Sequence, residues 1–149
     1  MACPRFLAAI LLAGLLLPVP ASAATYVSAL TLVISEPPQD NVYLAGTDVT
    51  IAAALPLDLL AAGGTISLAA PVAGDAMLAG GTIDVDRPVG GDLRAIGGQI
   101  IVTAPVEGDL ALAGGNVTAS SSASDIRIIG GTVRVLGGGN AVIYGADVH

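Results

Sequence analysis

The chain has 149 residues, of which 54% are hydrophobic, 11% charged and 3% aromatic, with 20 glycines, a single cysteine and a formal net charge of −7. Such a composition belongs to a compact chain rich in small residues and excludes both a disordered chain and a helical bundle. An acidic chain without lysine also lacks the basic footprint that a nucleic-acid partner requires.

Met1 to Ala23 reads as a secretory signal: a cationic start at Arg5, the apolar run "FLAAILLAGLLL" from Phe6 to Leu17, and "ASA" before the expected cleavage point. The apolar run is shorter than the ~20 residues of a bilayer span, so cleavage is expected in preference to anchoring, and no later stretch qualifies as a span. Cys3 leaves with this segment, so the exported chain is expected to have no disulfide and no thiolate chemistry. Four arginines then face twelve acids, a net charge of −8.

Residues 24–39 are expected to form an N-terminal cap, with Tyr26 to Ile34 as a strand over the first coil. From Asp40 to His149 the chain repeats itself. Units open at Gly46, Gly63, Gly80 and Gly97, each seventeen residues long, and shorter units open at Gly114, Gly130 and Gly145. Within a unit the period is two, which marks strands with one buried face. Two columns point inward, one through Val49, Ile66, Ile83, Ile100, Val117, Val133 and Val148, the other through Ile51, Leu68, Val85, Val102, Ala119 and Val135. A second strand in each unit supplies two more columns, where Leu59 meets Ala61, Ala76 meets Leu78 and Leu93 meets Ala95. This exchange of large for small keeps the volume of each layer constant, as a narrow interior demands.

No single unit can bury its apolar face, whereas stacked units pair every strand with its copy above and below. The fold class is therefore all-β, a single-stranded β-solenoid or β-helix with ~17-residue coils. The glycine pairs are expected at one corner, where positive φ and close stacking of backbones both exclude a Cβ. Pro71, Pro88 and Pro105 are expected at another, where a missing N–H is tolerated.

The sharpest polar feature is the column Asp58, Asp75, Asp92, Asp109 and Asp125. Stacked carboxylates could recruit Ca²⁺, but the neighbours are glycine and aliphatic residues, so the column is expected to hold corners by accepting backbone N–H groups. Asp84 and Asp86 share an outward face with the spacing of a paired-carboxylate hydrolase, on a surface that offers no cleft; a solvated charged patch is expected. The outward threonines are too often interrupted to form a continuous binding ladder. His149 has no Ser or Cys partner for nucleophilic catalysis, and the serine run Ser120–Ser122 with Ser124 is expected to be a loosened corner. No catalytic residue, cofactor or metal site is expected.

The repeat "GGTI-V--PVGGDL-A", running from Gly46 to about Tyr144, resembles the bactofilin-like, polymer-forming cytoskeletal repeat family. The resemblance implies a right-handed β-helix without nucleotide or metal, joined end to end into filaments through apolar ends. Bactofilins are typically cytoplasmic, so Met1–Ala23 makes this chain similar to exported relatives in the bacterial envelope, whether periplasmic, outer-envelope or extracellular. The expectation is a non-catalytic structural protein that is a homo-oligomer or polymer. Its candidate assembly surfaces are Val42, Leu44, Val49 and Ile51 at the first coil and Val133, Val135, Ile143 and Val148 at the last. The alternative is a surface binding module for a glycan or a divalent cation.

Overall fold

A computed structural model describes residues 25–137 and 139–149. The expected signal segment, Met1 to Ala23, lies outside the described residues. Eight strands, β1 (Thr25–Ile34), β2 (Val42–Ile51), β3 (Leu59–Leu68), β4 (Ala76–Val85), β5 (Leu93–Val102), β6 (Leu110–Ala119), β7 (Asp125–Val135) and β8 (Asn140–Val148), form one sheet in chain order. Every neighbouring pair is parallel, and from β1 to β6 each residue pairs with the one seventeen positions on, as Leu59 does with Ala76 and Ala76 with Leu93. A sheet that pairs consecutive parallel strands at the length of the repeat is a β-solenoid. Seven steps of about 4.8 Å make it about 34 Å long.

Each coil carries one long strand where two short ones were expected. Leu59 and Ala61 are buried in its first half, Ile66 and Leu68 in its second. Strict alternation from Leu59 would bury residues 63, 65 and 67, so the inward side slips by one at Gly63–Gly64, and the backbone bends there. The ladder skips the second glycine of each pair, which is where the bend falls. The pair is thus a corner within a strand.

Its glycines are needed for space. A Cβ on Gly80 would lie 2.8 Å from the carbonyl oxygen of Gly63, and one on Gly97 2.6 Å from that of Gly80. Positive φ plays no part at the pairs, contrary to expectation: among the described residues only Gly139 has it, at 147°. At 4.8 Å spacing a bent backbone presents its carbonyl to the Cα above, and this crowding alone excludes a side chain.

All four inward columns are buried from β2 to β7, apart from Val135, which is partly so. The compensating pairs stack as well as alternate, since Leu59 lies over Ala76 and Ala76 over Leu93. Strand β6 has Leu110 and Leu112 in its first half and only Val117 and Ala119 in its second, so the volume given up at Ala119 is taken up within the same coil. A third face, formed after the second half of each strand, adds a column that the alternation left unread. Leu55, Val72, Val89 and Val106 are buried there and joined by single parallel bridges. Pro71, Pro88 and Pro105 precede three of them and point outward; each accepts a ladder hydrogen bond through its carbonyl, from Leu55, Val72 and Val89, and no donor is asked of its nitrogen.

The serine run is no loosened corner. Ser121 is buried and takes the place held by Ala53, Ala70 and Ala104 in other coils. Its hydroxyl donates to the Ala104 carbonyl at 2.7 Å, while Ser124 Oγ donates to Glu107 O at 3.0 Å. These bonds fasten the shortened unit to the coil before it.

Candidate functional site

The aspartates of the "GD" corner stand one above another because each precedes the first residue of a strand. Asp58 Oδ1 accepts the N–H of Asp75 at 3.0 Å, Asp75 Oδ1 that of Asp92 at 2.8 Å, and Asp92 Oδ1 that of Asp109 at 2.9 Å. Asn41 occupies the same column one coil earlier and accepts from Asp58 N at 3.3 Å. Each of these side chains thus satisfies a donor seventeen residues ahead, and adds to the backbone bonds that already join the coils at this corner, such as Leu59 N–H to Asp75 O and Ala76 N–H to Asp92 O.

The glycine before each aspartate belongs to the same device. A Cβ on Gly74, Gly91 or Gly108 would collide with the carboxylate of Asp58, Asp75 or Asp92 respectively. Gly and Asp recur together because one vacates the volume that the other's predecessor fills. Asp109 closes this series, and Asp125 begins β7 after the shortened unit, opposite Asn140. Arg94 donates to Asp92 Oδ2 at 3.1 Å on the exposed side of the corner. No group of three or more His, Cys, Asp or Glu side chains arranged to hold a metal occurs among the described residues.

Asp84 and Asp86 are neighbours on the outer side of the β4 region. Asp84 stands in the outward column between Ser67 and Ile101, and its Oδ1 is buried without a hydrogen-bond partner among the described residues. Burial, then the negative charge of Asp86, then a hydrogen bond between the two carboxyls raise the Asp84 carboxyl above the ordinary carboxylate range. Asp86 accepts the Thr103 hydroxyl at 3.0 Å. The arginines close by in sequence go elsewhere: Arg87 Nε donates to Ala69 O, and Arg94 projects from the first half of β5. The acids therefore sit on an open sheet face with no opposing wall. The His149 imidazole lies beside Asp147, at 3.0 Å.

The candidate assembly surfaces need one correction. Val42, Leu44, Val49 and Ile51 are all buried, because the strand expected over the first coil, Tyr26 to Ile34, is present within β1 and covers them. It pairs with β2 at the seventeen-residue offset of the strands up to β6, Thr25 to Val42 and Ile34 to Ile51, and is itself the outermost rung among the described residues. At the other end Val133 is buried beneath β8, Val135 and Ile143 are partly buried, and Val148 is 49% exposed. The open rungs among the described residues are therefore β1 and β8.

One surface escaped the sequence reading. The outward positions in the first half of the strands carry Tyr26, Tyr43, Leu60 and Met77 in one column and Ile96, Ile129 and Tyr144 in the next, most of them well exposed. The signal was present, since these residues alternate with the inward columns that begin at Leu59 and Ala61. An apolar residue at a solvent-facing position is ordinary when it stands singly, and only the stacking of the coils gathers these into a surface.

No protein-family model, curated protein or solved structure matches the chain. One repeat geometry runs from the first described strand to the last, and no helix among the described residues is long and apolar enough to cross a membrane.

Proposed function

We propose that this chain is a non-catalytic structural element that assembles end to end, each copy continuing the sheet of the next. The observation that carries the reading is the character of β1. The strand "TYVSALTLVI" has no charge, no proline and no glycine, and on one side its N–H and C=O groups have no strand partner among the described residues. Natural edge strands are blunted by charges, prolines or bulges, and an unblunted edge is a template for another strand. Strand β8 offers the matching row, with Val148 and Ile143 in line with the interior columns. Because all rungs share one backbone path, a β1 docked on β8 would meet the environment that each strand already finds inside the molecule.

The likeness of the repeat to polymer-forming cytoskeletal repeats supports the same reading, and the leader-like Met1–Ala23 supports export to the bacterial envelope. The alternative, a binding module for a cation or glycan, has little to draw on at the aspartate column, where three of the carboxylates are already committed to backbone donors. Negative-stain electron microscopy of the purified protein over a dilution series, with and without EDTA, tests the proposal. Filaments that persist in EDTA and vanish with Val148→Asp or Val27→Asp are expected. Rods of single-molecule length at every concentration would overturn it.

A further inference from the structure

We propose that the outward face of the first half of the strands is a second self-association surface, on which two copies pack side by side with their rods parallel. This goes beyond end-to-end assembly and uses different residues.

The face spans eight rungs and is apolar at every outward position except Ser28, Arg94 and Arg127, and none of the twelve acids of the chain projects from its two columns. On a molecule of strong net negative charge the face itself is free of acids, and the column Asp58, Asp75 and Asp92 borders it on one side, so the orientation of a second copy decides whether acids meet. Met77 is 48% exposed, Ile96 67% and Ile129 62%, and Tyr26 stacks on Tyr43 with ring centroids 4.8 Å apart, which fixes two rings as a rigid plate.

Size matching in three rungs favours a second copy, while β5, β7 and β8 carry two large residues each, Arg94 with Ile96, Arg127 with Ile129 and Val142 with Tyr144, and set the closest approach of the two faces. In β2, β3 and β4 the two outward positions are one large and one small residue: Tyr43 with Ala45, Leu60 with Ala62, Met77 with Ala79. A two-fold axis lying in the interface along the rod sets each strand against its own copy and reverses the strand direction. Tyr43 then covers the partner's Ala45, Leu60 the partner's Ala62 and Met77 the partner's Ala79, so bulk meets hollow in each of these rungs. The same axis carries the aspartate column opposite the partner's glycine corner. The other in-plane axis, across the rod, would instead bring Asp75 opposite the partner's Asp92, and like charges oppose it.

The area agrees with a weak, specific pair. About 34 Å of stacked strands by about 13 Å of strand length gives roughly 450 Å² per copy and about 900 Å² in all. Side-chain relief brings this close to the ~1,000 Å² at which specific interfaces begin, so dimerisation is expected to be concentration-dependent.

Sedimentation velocity over a wide dilution series tests the pairing, performed on Val148→Asp protein so that end-to-end growth does not contribute. A monomer–dimer equilibrium is expected. Met77→Lys, which removes a knob, and Ala62→Arg, which fills a hollow, should each weaken it about tenfold or more. Thr82→Lys, outside the face, should leave it unchanged, and matching thermal melts for the three variants exclude misfolding as the cause. A short bis-maleimide should join Leu60→Cys to Ala62→Cys protein in a mixture far better than it joins either alone. Monomer at every concentration, or a dimer indifferent to both Met77→Lys and Ala62→Arg, would overturn the proposal. So would monomers that float with phosphatidylcholine vesicles in a Met77-dependent way, an outcome that assigns the face to a lipid surface.

Discussion

Replacing Asp75 by alanine and by asparagine separates the hydrogen-bond role of the aspartate corner from any role of its charge. Asp75 Oδ1 accepts the N–H of Asp92 at 2.8 Å, and that N–H has no backbone partner among the described residues. Alanine removes the acceptor. In a dry interior a bond to a charged group is worth ~1.5–3 kcal/mol, but here water reaches the corner and takes over part of the bond, so the expected loss is about 1 kcal/mol. That is also the typical cost of deleting a side-chain acceptor at a helix N-cap, which meets the same need. For a chain of this size the melting temperature should fall by about 3–5 °C.

Asparagine keeps Oδ1 as an acceptor and discards the charge, as Asn41 already does for Asp58 N in the same column. Asp75→Asn should therefore lie within about 0.5 kcal/mol of the parent, aided by relief of repulsion from Asp58 and Asp92. The assay is urea unfolding followed by far-ultraviolet circular dichroism at neutral pH, with and without Ca²⁺. If asparagine proves as damaging as alanine, the charge matters and the hydrogen-bond account fails. Stabilisation by Ca²⁺ that is lost in Asp75→Asn would move the column to the cation-binding reading.

Gly80→Ala should cost about 1–3 kcal/mol, since the obstacle 2.8 Å from its Cβ is the backbone oxygen of Gly63 in a rigid ladder; urea titration reads the loss, and a neutral result would show that the coils can part locally. Leu93→Ala, at a fully buried position between Ala76 and Leu110, should cost about 2–5 kcal/mol, whereas Leu60→Ala at an outward position should cost under about 1 kcal/mol in the same assay. Equal losses would mean that the inward columns are misassigned. Asp84→Asn should stabilise the protein at neutral pH: its folded carboxyl holds a proton more tightly than the unfolded one, so the stability lent by protonation is present at low pH and lost as pH rises through the raised folded value. The advantage of asparagine should shrink as the medium is acidified, and an advantage that grows instead would refute the assignment.

The period, the four inward columns of the long strands and the pairing of large with small were legible in the sequence because a stacked coil repeats every contact. A residue such as Ile83 sees Ile66 below and Ile100 above, so one-dimensional spacing is already three-dimensional neighbourhood. The aspartate column was legible as a corner for the same reason. Which atoms it bonds was not, since the partner of each carboxylate lies a whole coil away and the clash that demands Gly74 involves Asp58.

Tertiary structure decided matters that depend on direction rather than spacing. It made the glycine pair a bend within a strand, because a slip of one position, from Ala61 to Ile66, is visible only when both halves are seen to face one interior. It gave the strand over the first coil the full register of a rung, which buried Val42, Leu44, Val49 and Ile51 and left β1 and β8 as the open rungs among the described residues. It also gathered Tyr43, Leu60, Met77, Ile96 and Ile129, scattered singly through the sequence, into one outward face. Spacing along the chain states what each residue prefers; only stacking determines which preferences are added together on a surface.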